Sequence, residues 1–233
     1  MQFQEKTKKM ESIKMKIKIS GDDGVSPTLL AISFLSVFFV FFLFARFLKF
    51  NESRLGHLIN DPILSNWGPA NHNIEIFVLT YGLILLGLSW VLRTKMGMFS
   101  TNLSICFLIA FRAVTLYLVP LEPPTGIIPL EDVFLKNTFY NQDVLLKDLF
   151  FSGHTAAVFL LYFLIQKTWV RYVLLAGGIC LGMLLMRQHV HYSIDIFIAP
   201  FFSWMAFQGA NIVKNMITEE ETETLEMIEI SND

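Results

Sequence analysis

Ser152-Gly153-His154-Thr155 and His189-Val190-His191-Tyr192-Ser193-Ile194-Asp195 are the residues whose types and spacing could do chemistry. The four-residue interval between His191 and Asp195 puts both side chains on one helix face. There the carboxylate can accept the proton of one imidazole nitrogen and leave the other nitrogen free. The product is an oriented nucleophile or base. His154 follows Ser152 and Gly153 at a position that reads as a helix N-terminus, where unpaired N–H groups favour an anion such as phosphate. Each motif also has a structural reading: Ser152 as an N-cap, Gly153 as a flexible residue, and His154 as a histidine at a membrane interface. A metal held by His189, His191 and His154 is not required, since no further carboxylate or thiolate cluster completes a ligand set.

The elements that must position these groups are apolar. Of 233 residues, 54% are hydrophobic, 23 are phenylalanine and only 16% are charged, and the mean hydropathy is +0.53. Such a composition excludes the ordinary soluble class and predicts a polytopic membrane protein. Runs near the length needed to cross about 30 Å of hydrocarbon occur at Thr28–Ala45, Ile76–Leu92, Met96–Leu121, Leu149–Gln166, Tyr172–Met186 and Ile196–Val213. The prediction is all-α, a six-transmembrane-helix bundle with both termini on one side. Lysine and arginine bias in short loops sets orientation. A cytoplasmic N-terminus places eleven of these residues inside against six outside, so both termini are expected to be cytoplasmic. His154, His191 and Asp195 then fall together at the non-cytoplasmic face.

The flanks carry opposite charge. Residues 1–27 are basic and include the alternating Ile13-Lys14-Met15-Lys16-Ile17-Lys18-Ile19, which reads as disordered or as lying loosely along an anionic membrane surface. Residues 28–214 form the expected catalytic membrane domain. Residues 215–233 form an acidic cytoplasmic tail beginning its glutamate run at Glu219. The longest outer loop, from Pro120 to Leu149, has its prolines clustered at the start and reads as an irregular cap. Cys106 and Cys180 lie inside apolar runs, where no disulfide framework is supported.

Ser152-Gly153-His154-Thr155, followed by His189-x-His191-Tyr192-x-Ile194-Asp195, resembles the sphingomyelin synthase branch of the type 2 phosphatidic acid phosphatase superfamily. Arg112-Ala113-Val114-Thr115-Leu116-Tyr117 with Pro120 resembles the arginine, threonine and tyrosine pattern on that branch's third span. The likeness covers roughly residues 60–205, with Asp61-Pro62 a faint match. It implies a six-span bundle and covalent catalysis in two half-reactions, with His154, His191 and Asp195 as the catalytic set. His191 would attack the lipid phosphate, Asp195 would orient it, and His154 would protonate the departing oxygen and then deprotonate the acceptor.

The substrate-binding residues expected beside them are Asp148, Ser152, Gly153, Arg112, Tyr117, His189 and Arg187. Asp148 matches the aspartate that precedes Ser-Gly-His in that branch and reads either as lining the head-group site or as a solvated loop carboxylate. Leu146-Lys147 replaces the branch's Cys-Gly, and Arg187 stands where a small residue is common. These two cations serve either to hold an anionic head group or, for Arg187, to snorkel to the interface. Arg112 sits deep in the third run, where phosphate binding or pairing inside the bundle is expected.

The resulting expectation is a lipid head-group phosphotransferase that uses a phospholipid donor and a ceramide or diacylglycerol acceptor in the bilayer. It needs no cofactor and no nucleic acid, and leaves an oligomer open. Water in place of the acceptor would make the same machinery a lipid phosphate phosphatase. A non-catalytic membrane scaffold or transporter built on the same bundle is the alternative of a different class.

Overall fold

A computed structural model describes residues 25–130 and 145–231, with side chains as far as residue 217. The basic stretch before residue 25, the outer-loop residues 131–144 and the glutamate side chains of the tail lie outside the described residues. Among the described residues six α-helices form: α1 (Pro27–Glu52), α2 (Asn73–Val91), α3 (Lys95–Leu118), α4 (Gly153–Leu164), α5 (Thr168–Arg187) and α6 (Ser193–Ser231). A 3-10 turn, Leu64–Asn66, interrupts the loop before α2. No strand forms among the described residues.

Local chemistry accounts for the helix starts. Ser26 accepts the Leu29 N–H at 3.2 Å with Pro27 at the first helical position, and Thr94 accepts the Gly97 N–H at 3.0 Å. Ser152 caps α4 through the Thr155 N–H. Among the described residues five helices are long and apolar enough to cross a membrane, namely α1, α2, α3, α5 and α6 as far as Ile217. This supports an integral membrane protein.

The fourth expected span differs from its prediction. Leu149–Gln166 is helical only from Gly153 to Leu164, twelve residues that cover about 18 Å at 1.5 Å each. Leu149 and Phe151 are buried but not helical. Irregular backbone at this depth survives when its polar groups are paired within the protein, and several of them are. The Glu52 carboxylate accepts the N–H groups of Leu146 and Lys147, each at 3.0 Å. Asn51 donates to the Lys147 carbonyl at 2.9 Å, and the Thr115 hydroxyl donates to the Phe150 carbonyl at 3.2 Å. These partners explain why α1 runs past Ala45 to Glu52, with its last turn holding the descending segment.

Short as it is, α4 is central and touches α2, α3, α5 and α6, whereas α1 packs against α3. One core joins Leu83, Val158, Leu161, Leu174, Leu181 and Ile196. A second joins Leu108, Phe151, Ala156, Leu160, Ala199 and Ala206. Small residues and polar contacts draw the helices together, as expected where lipid removes the usual hydrophobic drive. Asn102 on α3 donates to the Ser33 hydroxyl on α1 at 2.9 Å, and Ser203 on α6 donates to the Ala156 carbonyl on α4 at 2.8 Å.

At Gly182 on α5 any Cβ would stand 2.6 Å from Ile196 of α6, whereas Gly82 on α2 has open space around it. Gly182→Leu should therefore lower the thermal stability of the detergent-purified protein by about 1–3 kcal/mol through overpacking. Gly82→Leu should stay within about 0.5 kcal/mol of the parent. Equal unfolding temperatures for the two variants would contradict this packing.

Candidate active site

The first turn of α6 is organised by one carboxylate. Asp195 Oδ2 accepts the backbone N–H of Tyr192 at 3.0 Å, the reach-back half of a capping box. The same oxygen lies 3.3 Å from His191 Nδ1. His191 is 3% exposed and Asp195 is fully buried. A carboxylate in that position favours a proton on Nδ1, which leaves the Nε2 lone pair available. The other oxygen, Oδ1, has no hydrogen-bond partner among the described residues.

The start of α4 is pinned to that same turn. Ser152 donates its backbone N–H to the Asp195 carbonyl at 3.1 Å, so the Ser-Gly-His turn and the His-Asp turn meet directly. His154, the second residue of α4, is half-buried. Gly153 lies against the Arg112 guanidinium of α3 so closely that a side chain there would overlap it. Arg112 is itself buried, pairs with Asp148, and lies over the rings of Phe44 and Phe151 at 5.6 and 5.7 Å. Among the described residues its Nε–H is unpaired, as is the buried Thr155 hydroxyl in the first turn of α4. The junction thus combines a cation, a helix N-terminus and two imidazoles, a set suited to holding a phosphate and moving a proton.

Other residues hold this junction in place and were not singled out as site residues. Asp61 accepts the Ser193 N–H at 2.7 Å with one oxygen, capping α6, and accepts the N–H groups of Ile63 and Leu64 with the other at 2.9 and 3.2 Å. Burial would raise the Asp61 carboxyl, but the hydrogen bonds from Ser193, Leu64 and Ile63 outweigh it and hold it below the usual carboxylate range. Gln188 is fully buried and ties α5 to the start of α2, donating to Asn73 at 2.7 Å and to the Ile128 carbonyl at 3.1 Å. Tyr192 donates its hydroxyl to the Glu122 carbonyl at 2.9 Å. In the sequence, only the faint Asp61-Pro62 likeness points to any of them. Gln188 and Glu122 have no local pattern, because their partners lie far away in sequence.

Several of the residues expected to bind substrate make contacts within the protein. His189 Nδ1 lies 2.9 Å from the Thr125 carbonyl and Nε2 lies 2.7 Å from the Trp67 carbonyl, so both ring nitrogens hold loops together. Its φ of 59° places it in the left-handed region, a strained conformation for a non-glycine residue. Arg187 donates to the Gly68 carbonyl. Lys147 donates to Glu122 and to the Arg54 carbonyl, each at 2.7 Å, and this ammonium holds the Glu122 carboxyl below its usual range with help from the Gly56 N–H. Tyr117 is 56% exposed under the Arg54 guanidinium. Five residues beyond Arg112, it projects from another side of α3. Asp148 pairs with Arg112. Among the described residues no group of three or more His, Cys, Asp and Glu side chains is arranged to hold a metal ion.

Residues 147–212 match the family model described as PAP2 superfamily C-terminal. The matched segment carries both histidine motifs and the α4–α6 junction. It supports the type 2 phosphatidic acid phosphatase superfamily, whose members are generally phosphatases and phosphotransferases. No curated protein matches the chain.

Asp61→Ala removes the acceptor of three backbone N–H groups and should cost about 1–3 kcal/mol. Because the native carboxyl is held low, its contribution is complete above an ordinary aspartate value of about 3.9 and fades as pH falls through the lower native value. Unfolding midpoints measured from neutral to acid pH should show a shallower acid decline in Asp61→Ala than in the parent. An unchanged acid slope would contradict this assignment.

Proposed function

We propose that residues 28–214 form an integral membrane phosphotransferase of the sphingomyelin synthase kind, acting on lipids at the non-cytoplasmic leaflet through a phosphohistidine. The observation that carries this reading is the pinned junction itself. His191 Nδ1 faces the buried Asp195 carboxylate, and Ser152 N–H to Asp195 C=O holds the His154 turn against it. The Asp195 carboxylate positions His191, so Nε2 is the attacking atom.

In the first half-reaction, Nε2 of His191 forms a bond to phosphorus as the bond from phosphorus to the diacylglycerol oxygen breaks. Protonated His154 supplies the proton that oxygen needs to depart. In the second, neutral His154 takes the proton of a ceramide or diacylglycerol hydroxyl. That oxygen then bonds to phosphorus and releases the histidine nitrogen. Arg112, lying against Gly153, offers its guanidinium to the phosphate oxygens at the N-terminus of α4, where charge accumulates in the transition state. Asp148 holds that guanidinium in place.

Hydrolysis of a lipid phosphate is the second reading, favoured by the breadth of the family match, which includes phosphatases. Water then replaces the lipid hydroxyl in the second half-reaction. The two readings separate when purified protein is incubated with head-group-labelled phospholipid, with and without ceramide. Transfer predicts a new labelled lipid only when ceramide is present. Free head-group phosphate without a new lipid would overturn transfer and leave hydrolysis. His191→Ala should reduce either activity to background, and His154→Ala should reduce it by about 10²–10⁴-fold. Full turnover in His191→Ala would leave the scaffold or transporter reading.

A further inference from the structure

A cavity of about 690 Å³ opens at the end of the bundle opposite the histidines. Its walls come from the end of α2 (Trp90, Val91), the end of α4 (Leu164, Ile165) and Phe207 of α6, with the first turns of α3 completing it. It exists because α4 is short: the central helix stops at Leu164, while α6 continues beside it through Asn211 and Lys214. Along α6, Lys214 lies 21 residues beyond Ser193, about 30 Å at 1.5 Å per residue. The cavity is therefore separate from the junction of His154 and His191.

Two kinds of chemistry line this space. The walls are apolar and large enough for a hydrocarbon chain, within the usual range for ligand sites. Among the described residues, the polar lining includes Lys167, Lys214, Gln166, Asn211 and Thr94, and contains two ammonium groups and no carboxylate. Asn211 accepts from the Lys214 ammonium at 2.9 Å, which holds that charge on the α6 wall. Lys167 stands at the N-cap of α5 without a side-chain capping bond. The level is that of a membrane–water boundary: Trp90 and Trp169 meet edge to face at 6.0 Å, and the Arg93 guanidinium lies 3.8 Å over the Trp90 ring.

We propose that this cavity binds an anionic phospholipid from the leaflet on its own side, with the phosphate between Lys167 and Lys214 and an acyl chain between Trp90, Leu164 and Phe207. A basic pocket between transmembrane helices has the charge for such a head group. The chain supplies the packing that the short α4 leaves out. The site is a binding site and takes no part in the transfer chemistry, so it stands or falls separately from that reading.

The test uses full-length protein in neutral detergent, with phosphatidylglycerol and phosphatidylcholine of matched chains as probes. Native mass spectrometry reads retention, and thermal unfolding reads stabilisation. The parent and His191→Ala should both retain phosphatidylglycerol over phosphatidylcholine and unfold at higher temperature with it. Lys167→Gln/Lys214→Gln should weaken retention by about fivefold per lysine, roughly thirtyfold for the pair. Ser100→Leu, which fills the cavity and keeps both charges, should also abolish retention, and it covers the case in which the lysine pair fails to fold. Equal retention of the two lipids by the parent, or undiminished phosphatidylglycerol retention in the folded variants, would overturn the proposal. Loss of retention in His191→Ala would place the bound lipid at the histidine junction and overturn it equally.

Discussion

The constraint on which this structure turns is the need to pair polar groups inside an apolar bundle. The Asp195 residue meets it twice. Its carbonyl accepts the Ser152 N–H, and its carboxylate accepts the Tyr192 N–H beside the His191 ring. Two helix starts, which would otherwise present orphan donors in a poorly solvated region, are thereby locked into one junction. The same bonds that satisfy the backbone also fix which histidine nitrogen is free. Stability and chemistry share their atoms here.

A second tier of contacts gives the junction its rigidity. Asp61 caps α6 from the loop before α2, Glu52 and Asn51 at the end of α1 hold the segment entering α4, and His189 and Gln188 tie the end of α5 to neighbouring loops. Each contact joins elements distant in sequence, so each side chain of the junction is held from several directions. Arg112 illustrates the result. It is buried, lies over two aromatic rings, pairs with Asp148 and rests against the bare backbone of Gly153.

What could be read in the sequence follows the range of the interaction. The His191–Asp195 pair was legible because four residues along a helix is a local geometry. Ser152 as a cap was legible for the same reason. The apolar runs announced five long helices, yet Leu149–Phe151 read as span because composition alone does not separate a buried extended segment from a helix. Its helix starts only where Ser152 caps it. His189, Arg187 and Tyr117 carried the right chemistry in the right stretch, but their partners, the carbonyls of Trp67, Thr125 and Gly68 and the guanidinium of Arg54, come from loops no local pattern could place. Asp61 carries only a faint likeness and Gln188 no local pattern, because the partners that tie them to the junction, Ser193 for Asp61 and Asn73 and Ile128 for Gln188, lie far away in sequence. The shortness of α4 has its own consequence at the far end of the bundle, where the space it leaves becomes a lysine-edged cavity.

The central claim is that Asp195 holds His191 as a nucleophile whose Nε2 becomes bonded to phosphorus. The most direct measurement is rapid quenching of the full-length protein with head-group-labelled phospholipid, followed by peptide mapping under alkaline conditions that preserve a phosphorus–nitrogen bond. The account predicts label on the peptide containing His191, acid-labile, and greatly reduced in Asp195→Asn although that variant still folds. Label on His154 or on a serine, or turnover with no protein-bound label at any quench time, would contradict it.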